Sequence, residues 1–404
     1  MTRAYVFKNK FKEAAVIFFD VVGRFFYHRP TIKLTDHPRK IAVIRLDQIG
    51  DIVLSLPAIE YLCQTYPRSK MVLITTQAGF QICSKAAHIH EIRIADSPWF
   101  ESKRSLLNQW KAFWSLVRLI KELQSDLIID LRGDLRHILA ARFAICPNYL
   151  ISQGHSGGGF LLDKDICVTP SKHTAEQNIE VVRAIREQMN TTFVPIIQWQ
   201  PTSNYCEEPL PQSVMELIHS NASHVIALHL SSHAPSKLWP IQHWLQLICE
   251  LNQSLVDPLW ICIGDKHASK LCFDLKQKIQ ASPFNQPSNK WNVRIVCDQI
   301  KLNQLGTFFK KINLLITTDS GPAHIAALSQ TPTVVIFSGA NKKNQWQPLN
   351  KNIKVIDKAV ACSPCLSRIC RQAQHWCMEQ VEPSQVAAAS LELLRVGKDF
   401  SRHA

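Results

Sequence analysis

Three short runs gather residues able to move a proton or hold a charged phosphate. The most informative is Asp319-Ser320-Gly321-Pro322-Ala323-His324, directly after the apolar run Leu314–Thr318. Ser320 is suited to cap a helix, Gly321 lets a ligand approach the backbone, and Pro322 fits a first helical turn, where its missing N–H costs nothing. Amides and dipole at such a helix start attract an anion. A plain capped helix would explain Ser320 and Pro322, but not the nearby Asp319 and His324. The second run is Ser231-Ser232-His233-Ala234-Pro235-Ser236-Lys237-Leu238-Trp239-Pro240. Its hydroxyls and Lys237, a compact point charge, suit phosphate oxygens. It reads equally well as a solvated lysine in a capped turn, with Trp239 and Trp244 as packing. The third is Arg45-Leu46-Asp47-Gln48-Ile49-Gly50-Asp51. From spacing alone Asp51 is first a helix N-cap after a tight turn at Gly50. The alternative is a carboxylate that takes a proton from a substrate hydroxyl.

A fourth constellation is Cys362-x2-Cys365-x4-Cys370-x6-Cys377, four sulfurs within sixteen residues. It admits a tetrahedral structural zinc site, paired disulfides or reduced thiols. The other nine of the thirteen cysteines are scattered without framework spacing and read as buried free thiols, as in a reducing cytoplasm. Absences narrow the chemistry. There is no G-x-G-x-x-G after either first strand and no G-x-x-x-x-G-K-[ST]. A dinucleotide oxidoreductase and a P-loop ATPase are therefore disfavoured.

The elements that must position these runs repeat as strand, loop, helix. In the first half the strands are Ile41–Leu46, Met71–Thr75, Glu91–Ala95 and Asp126–Leu131, with helices over Ile52–Tyr66, Arg104–Gln124 and Asp134–Ala144. Prolines at 195, 201, 209 and 211 mark a linker. The alternation then restarts with strands Val225–Leu230, Leu259–Gly264, Val293–Val296, Leu314–Thr318 and Thr333–Phe337. Continuous apolar strands alternating with helices predict an α/β fold: two Rossmann-like domains whose parallel sheets are covered on both faces and face a cleft. Ligands of such sheets bind outside the carboxyl ends of the strands. The expected divisions are an N-terminal extension (1–35), a first domain (36–200), a second domain (205–380) and a final segment (381–404). The last of these holds a helix, Ser384–Val396, expected to pack back on the first domain.

The 404 residues are ample for two cores, and 46 basic against 32 acidic residues give a net charge of +14. Such a charge favours phosphate-bearing partners. The basic residues are spread along the chain without a nucleic-acid-binding pattern, so nucleic acid is not the expected partner. The first 33 residues carry seven Lys/Arg and two acids, with Phe7, Phe11, Ala14, Phe18, Val22 and Phe25 at helical spacing. The apolar run there is too short and too charged to span a bilayer, and no small-residue cleavage site follows it. Two readings stand level: a basic amphipathic helix on an anionic membrane, or an extra helix packed on the core.

Taken jointly and in order, three pieces resemble glycosyltransferase family 9, the bacterial ADP-heptose:lipopolysaccharide heptosyltransferases. They are Lys40-Ile41-Ala42-Val43-Ile44-Arg45-Leu46 with Ile49-Gly50-Asp51-Ile52-Val53-Leu54-Ser55-Leu56-Pro57-Ala58, then Lys237-Leu238-Trp239-Pro240 with Trp244, and Asp319 to His324. The resemblance runs over about residues 40–386. It implies a GT-B fold, an inverting transfer and no cofactor for catalysis. On this resemblance Asp51 is the general base, and Lys237, Ser231 and Ser232 meet the phosphates. Ser320, Gly321 and the helix begun by Pro322 hold the diphosphate, Asp319 and His324 orient the donor sugar, and Asp265 is a candidate for the ribose. The implied partners are ADP-heptose and a lipid-linked or lipopolysaccharide-core glycan, at the cytoplasmic face of the inner membrane. Asp47-Gln48 departs from the small hydroxyl residues common before the aspartate, and the basic extension and Cys-rich tail are additions to compact members. A sugar-nucleotide epimerase or hydrolase of the same fold, or a silent nucleotide-sugar-binding protein, are the alternatives.

Overall fold

Each half of the chain turns its apolar runs into six parallel strands. The first sheet holds β1 (Lys40–Arg45), β2 (Lys70–Thr75), β3 (Glu91–Ile94), β4 (Leu127–Asp130), β5 (Tyr149–Ser152) and β6 (Lys164–Asp165). The second holds β7 (His224–His229), β8 (Pro258–Ile263), β9 (Asn292–Ile295), β10 (Leu314–Thr318), β11 (Thr333–Phe337) and β12 (Ile353–Asp357). The computed structural model describes residues 10–27, 34–96, 105–144, 148–154, 156–185, 196, 199–219, 222–282 and 291–400. Phe7, Arg104, Pro195 and Cys146, the last one of the nine scattered cysteines, lie outside these residues.

The strand orders are β3-β2-β1-β4-β5-β6 and β12-β11-β10-β7-β8-β9. Counted from the first strand of each sheet, both are the 3-2-1-4-5-6 order of the doubly wound nucleotide-binding fold. Chain direction reverses across the sheet between β1 and β4, and again between β7 and β10. Loops leaving those paired strands diverge, so each sheet has a crevice at its carboxyl edge at that point. Strands β7, β8, β10 and β11 are buried along their whole length, which is why they read as continuous apolar runs rather than alternating ones.

Each unit has its own core. In the first, Ile44, Val72, Ile128, Leu116 and Ile138 close together. In the second, Leu228, Trp260, Ile316 and Ile336 meet Trp244 and Val386. The division falls near Ile196, with Pro201–Asn204 kept in the first unit and Tyr205 onward in the second. The C-terminal helix Pro383–Phe400, for which packing on the first domain is the sequence expectation, contacts helix Ile241–Ser254 and strands β10, β11 and β12 of the second unit.

One helical expectation changes. The single helix over Ile52–Tyr66 is broken into Ile49–Val53 and Leu56–Thr65. Pro57 has no N–H for a continuous helix and instead takes a first-turn position of the second piece. Both the Ser55 hydroxyl, at 2.6 Å, and the Ser55 amide, at 3.0 Å, donate to the Ile52 carbonyl at the break. At the N-terminus, helix Lys10–Phe26 packs on the first unit through a face other than the phenylalanine stripe. Asp20 is buried and accepts from the Gly158 amide at 2.7 Å, and Phe19 meets the Phe160 ring edge-on at 5.3 Å. Gly23 lies close against Phe160, where a Cβ would clash with the ring. Phe11, Phe18 and Phe25 stay exposed.

Candidate functional site

The second unit gathers its polar side chains where β7 and β10 part. These strands pair in parallel with Thr317 opposite His229, so the last turns of chain on both strands emerge side by side. His229 is buried. Its Nδ1 lies 3.2 Å from the Thr317 hydroxyl and 3.2 Å from the Ser320 hydroxyl, and its Nε2 lies 3.2 Å from the Ser231 hydroxyl. One imidazole thus ties the Ser231 loop to the Ser320 turn. Burial pulls its pKa down to about 4, against a smaller upward effect of Asp265, so the ring is neutral at pH 7.

Ser320 precedes helix Gly321–Leu328, but its side chain does not cap it. The hydroxyl donates instead to the Thr318 carbonyl, 3.1 Å, beside His229. Pro322 does take the first-turn position, and His324 is buried in the same turn. Asp319, also buried, accepts from the Lys237 ammonium at 2.7 Å and from the Asn341 amide at 2.9 Å. The structure therefore brings Lys237, Asp319, Ser320 and Ser231 to one end of one sheet. Ser232 accepts from the Ala234 amide, 3.3 Å, shaping its own loop. Asp265 follows β8, and one of its carboxylate oxygens accepts from the His267 and Ala268 amides, both at 3.0 Å. That oxygen shapes a turn. Trp239 and Trp244 are packing: both are buried, edge-to-face at 5.0 Å, and the Trp239 indole N–H donates to the Val381 carbonyl.

The cysteine-rich segment supports this site from behind. The Ser236 amide donates to the Arg368 carbonyl at 3.1 Å, and its hydroxyl to the Ser367 carbonyl at 2.6 Å. Arg368 in turn donates to the His233 carbonyl, 3.2 Å, and His375 approaches the Ser236 carbonyl at 3.0 Å. The structural zinc expectation is corrected here. Among the described residues, no three or more His, Cys, Asp or Glu side chains are arranged to hold a metal ion. Cys362 and Cys365 are exposed, Cys370 is half-buried, and only Cys377 is buried. Burial pushes the Cys377 thiol up, and the other three thiols add to the shift. The reading of the scattered cysteines as uniformly buried also changes, because Cys167 is exposed.

In the first unit Asp51 lies in the short helix after β1 and is about one-fifth exposed. Its Oδ1 is 3.4 Å from a guanidinium nitrogen of Arg45. Arg45 is buried, donates to the Leu131 carbonyl at 2.8 Å, and has Asp47 at 3.4 Å from its Nε. Burial lowers the Arg45 pKa, while Asp51 and Asp130 oppose the shift. Asp47 also pairs with Arg132, which reaches Asp134 at 3.3 Å. Asp134 caps helix Leu135–Phe143 through the Arg136 amide. Burial opposes ionisation of Asp134, but the Arg136 hydrogen bond and the charges of His137, Arg136 and Arg132 outweigh it and hold the carboxyl below its usual range. At the foot of this network, Asp130 accepts from the amides of Gly133 and Asp134 and lies 3.0 Å from His137 Nδ1, both side chains fully buried. The expectation of Asp51 as a helix N-cap is corrected: Gln48 takes that position, and the Asp51 carboxylate lies in the first turn beside the buried Arg45 cation.

Sequence reasoning missed His229, Thr317, Asn341, Arg132 and the Asp130–His137 pair. The one signal it could have used is a histidine at the end of an otherwise apolar strand, at a switch point.

Residues 113–375 match the model of glycosyltransferase family 9 (heptosyltransferase). Lipooligosaccharide heptosyltransferase 2 of Campylobacter jejuni is 28% identical over 183 residues, 44% of this chain and 54% of that protein. That match spans only about half of the relative's length. Lipopolysaccharide heptosyltransferase 3 of Escherichia coli is 22% identical over 75% of this chain and 84% of that protein. Among solved structures, Escherichia coli ADP-heptose lps heptosyltransferase II superposes with a TM-score of 0.66 at 16% identity, over 89% of this chain and 99% of that one. This likeness, with two α/β units of the same strand order, identifies the fold as GT-B. With a family match over more than half of its length, the chain belongs to glycosyltransferase family 9.

Proposed function

We propose that the chain is an inverting, metal-independent glycosyltransferase that moves a heptose from ADP-heptose to a lipopolysaccharide-core or related cell-surface glycan. The observation that carries this reading is the cluster outside β7 and β10, where Lys237 and the hydroxyls of Ser231 and Ser320 are held at the head of helix Gly321–Leu328. A departing nucleoside diphosphate gains negative charge in the transition state. A fixed ammonium and the helix-start amide of Gly321 stabilise that charge in the role a metal would otherwise fill, and the Ser231 and Ser320 hydroxyls join them by turning their protons from His229 and the Thr318 carbonyl to the phosphates. Asp319 keeps Lys237 in place, and His324 and Asp319 orient the donor sugar. The free oxygen of Asp265 and the Ser232 hydroxyl serve the ribose and the phosphates.

Asp51 is the general base. It takes the proton of the acceptor hydroxyl as that oxygen attacks the anomeric carbon opposite the leaving group. The electron pair of the broken C–O bond leaves with the diphosphate, so configuration inverts. Arg45, 3.4 Å away, positions the Asp51 carboxylate for this step. Asp51→Asn is expected to lower kcat by about 10²–10⁴-fold while ADP binding, read by calorimetry, is unchanged. Undiminished turnover of ADP-heptose in the variant would remove Asp51 from this role.

On this reading the protein works at the cytoplasmic face of the inner membrane. No helix among the described residues is long and apolar enough to cross a bilayer. The exposed stripe Phe11, Phe18 and Phe25 on helix Lys10–Phe26 is the proposed membrane contact. Phe18→Ser/Phe25→Ser is expected to weaken sedimentation with phosphatidylglycerol vesicles, and equal sedimentation would reject the contact.

A further inference from the structure

A second apolar surface lies on the same unit, two elements away from the N-terminal helix. Helix Leu106–Leu123 buries Leu116, Ile120 and Leu123 and turns the opposite face to solvent. Along that face Leu107, Trp110 and Trp114 follow at helical spacing, 72%, 60% and 49% exposed, and Phe143 of helix Leu135–Phe143 joins them, 52% exposed. Phe143 stacks edge-on against Trp114 at 5.8 Å. Scattered exposed apolar residues are ordinary, but a contiguous patch with two half-bare indoles marks a contact surface. The patch has a polarity along the helix. The stripe that begins with Leu107 and the two tryptophans, with exposed Lys111 beside them, continues as exposed Arg118 and Lys121, so its apolar residues lie in its first two turns while its last two are basic alone.

We infer that this stripe is a second membrane-docking surface, inserted at the Leu107 end into an anionic lipid bilayer with Arg118 and Lys121 at the headgroups. The inference rests on the membrane contact proposed above and names a separate set of residues for it. Charge complementarity selects the occupant. Tryptophan belongs at the boundary between acyl chains and headgroups, and Arg and Lys beside it find anionic phosphates there. Leu107 and Lys121 are 14 residues apart, about 21 Å along the axis, so a tilted helix seats its apolar start below its basic end. A second copy of the chain fits less well, because a twofold contact through this patch brings the basic ends of both copies into one interface. The two surfaces are linked through packed elements. Helix Leu106–Leu123 rests on helix Leu135–Phe143, which rests on the turn Gly159–Leu161, and Phe160 of that turn carries the N-terminal helix. Two weak anchors on one body combine into a stable one, as two lipid anchors do.

The test uses the full chain and vesicles of phosphatidylglycerol and phosphatidylethanolamine, some with bromines in the acyl chains. Trp110→Ala/Trp114→Ala is expected to lower the partition coefficient by about tenfold or more and to abolish most of the fluorescence quenching by brominated lipid. Arg118→Gln/Lys121→Gln is expected to weaken binding to these vesicles and not to purely zwitterionic ones. Each variant is checked for an unchanged melting temperature and unchanged ADP binding. If the tryptophan variant binds as the wild type does while Phe18→Ser/Phe25→Ser does not, this surface is rejected and the N-terminal contact stands. If the wild type binds no vesicle, both fall. If the tryptophan variant changes only the oligomeric state, the occupant is a second copy and the membrane inference is overturned.

Discussion

His229 joins two chain segments that are distant in sequence, and its hydrogen-bond pattern fixes where its proton sits. The hydroxyls of Thr317 and Ser320 each donate to the Thr318 carbonyl, so at Nδ1 they act as acceptors. The ring proton is then on Nδ1, and Nε2 accepts from the Ser231 hydroxyl. A second proton on this buried ring would break the last bond and add an unpaired charge. Its pKa is depressed from the ordinary 6.5 to about 4, so between those values the unfolded chain binds a proton that the native chain refuses. The stabilisation is fully present above pH 6.5 and is lost as pH falls to about 4. The size is on the order of 3 kcal/mol. Denaturant unfolding at pH 7 and pH 4.5 is expected to show this loss in the wild type and a much smaller one in His229→Gln. Equal losses in both proteins would show that other groups carry the pH dependence. Asp134, with its depressed carboxyl, contributes in a lower window: its stabilisation is present above the ordinary carboxylate value and disappears as pH falls below it.

At the scale of elements, what the sequence makes legible is what is continuous and buried. The expected bounds of β10 and β11 are the observed ones, and β1, β7 and β8 are displaced by one residue. The strands β5, β6 and β12 escape sequence reading for different reasons. β6 is two residues long, β5 is four, and β12 is a half-buried edge strand carrying Lys354 and Asp357, so its apolar signal is interrupted. For the site, Asp51, Lys237, Asp319 and Ser320 are visible because each follows a strand in a polar run. The His229–Thr317 contact is invisible because strand register pairs residues 88 positions apart. The role of the cysteine-rich segment is hidden for the same reason: its carbonyls, not its thiols, reach the Lys237 loop. Ser236 is buried and donates its hydroxyl to Ser367, so Ser236→Ala removes one of the ties between segment and loop. The loss is about 1 kcal/mol, expected as a several-fold rise in the KM for the donor with kcat nearly unchanged. A KM equal to that of the wild type would show that the remaining ties position Lys237 without this bond.

At the scale of the whole molecule, every contact proposed for the nucleotide belongs to the second unit. Its sheet, its core and its site are built from residues after Asn204, and the chain that enters it is pinned at once. The Gly306 amide donates to the Cys206 carbonyl at 2.9 Å, the Glu208 amide to the Asn303 carbonyl at 2.8 Å, and Gly306 lies so close to the Tyr205 carbonyl that a Cβ would not fit. The C-terminal helix covers helix Ile241–Ser254 and the β10–β12 side of the same sheet, so a fragment beginning at Tyr205 keeps this cover. Residues 205–404 are long enough for a doubly wound domain with a core of its own. Produced alone, this fragment is expected to melt cooperatively and to bind ADP within a few-fold of the full chain. It is expected to transfer no sugar, because Asp51 and its Arg45 support are absent. Calorimetry with ADP, beside a transfer assay, separates the outcomes. Cooperative melting with lost ADP affinity would mean that the first unit contributes to nucleotide binding, and the assignment of the diphosphate to the Lys237–Ser320 cluster would then be incomplete. Retained affinity that vanishes on Lys237→Met would tie binding to that cluster within a single folded unit.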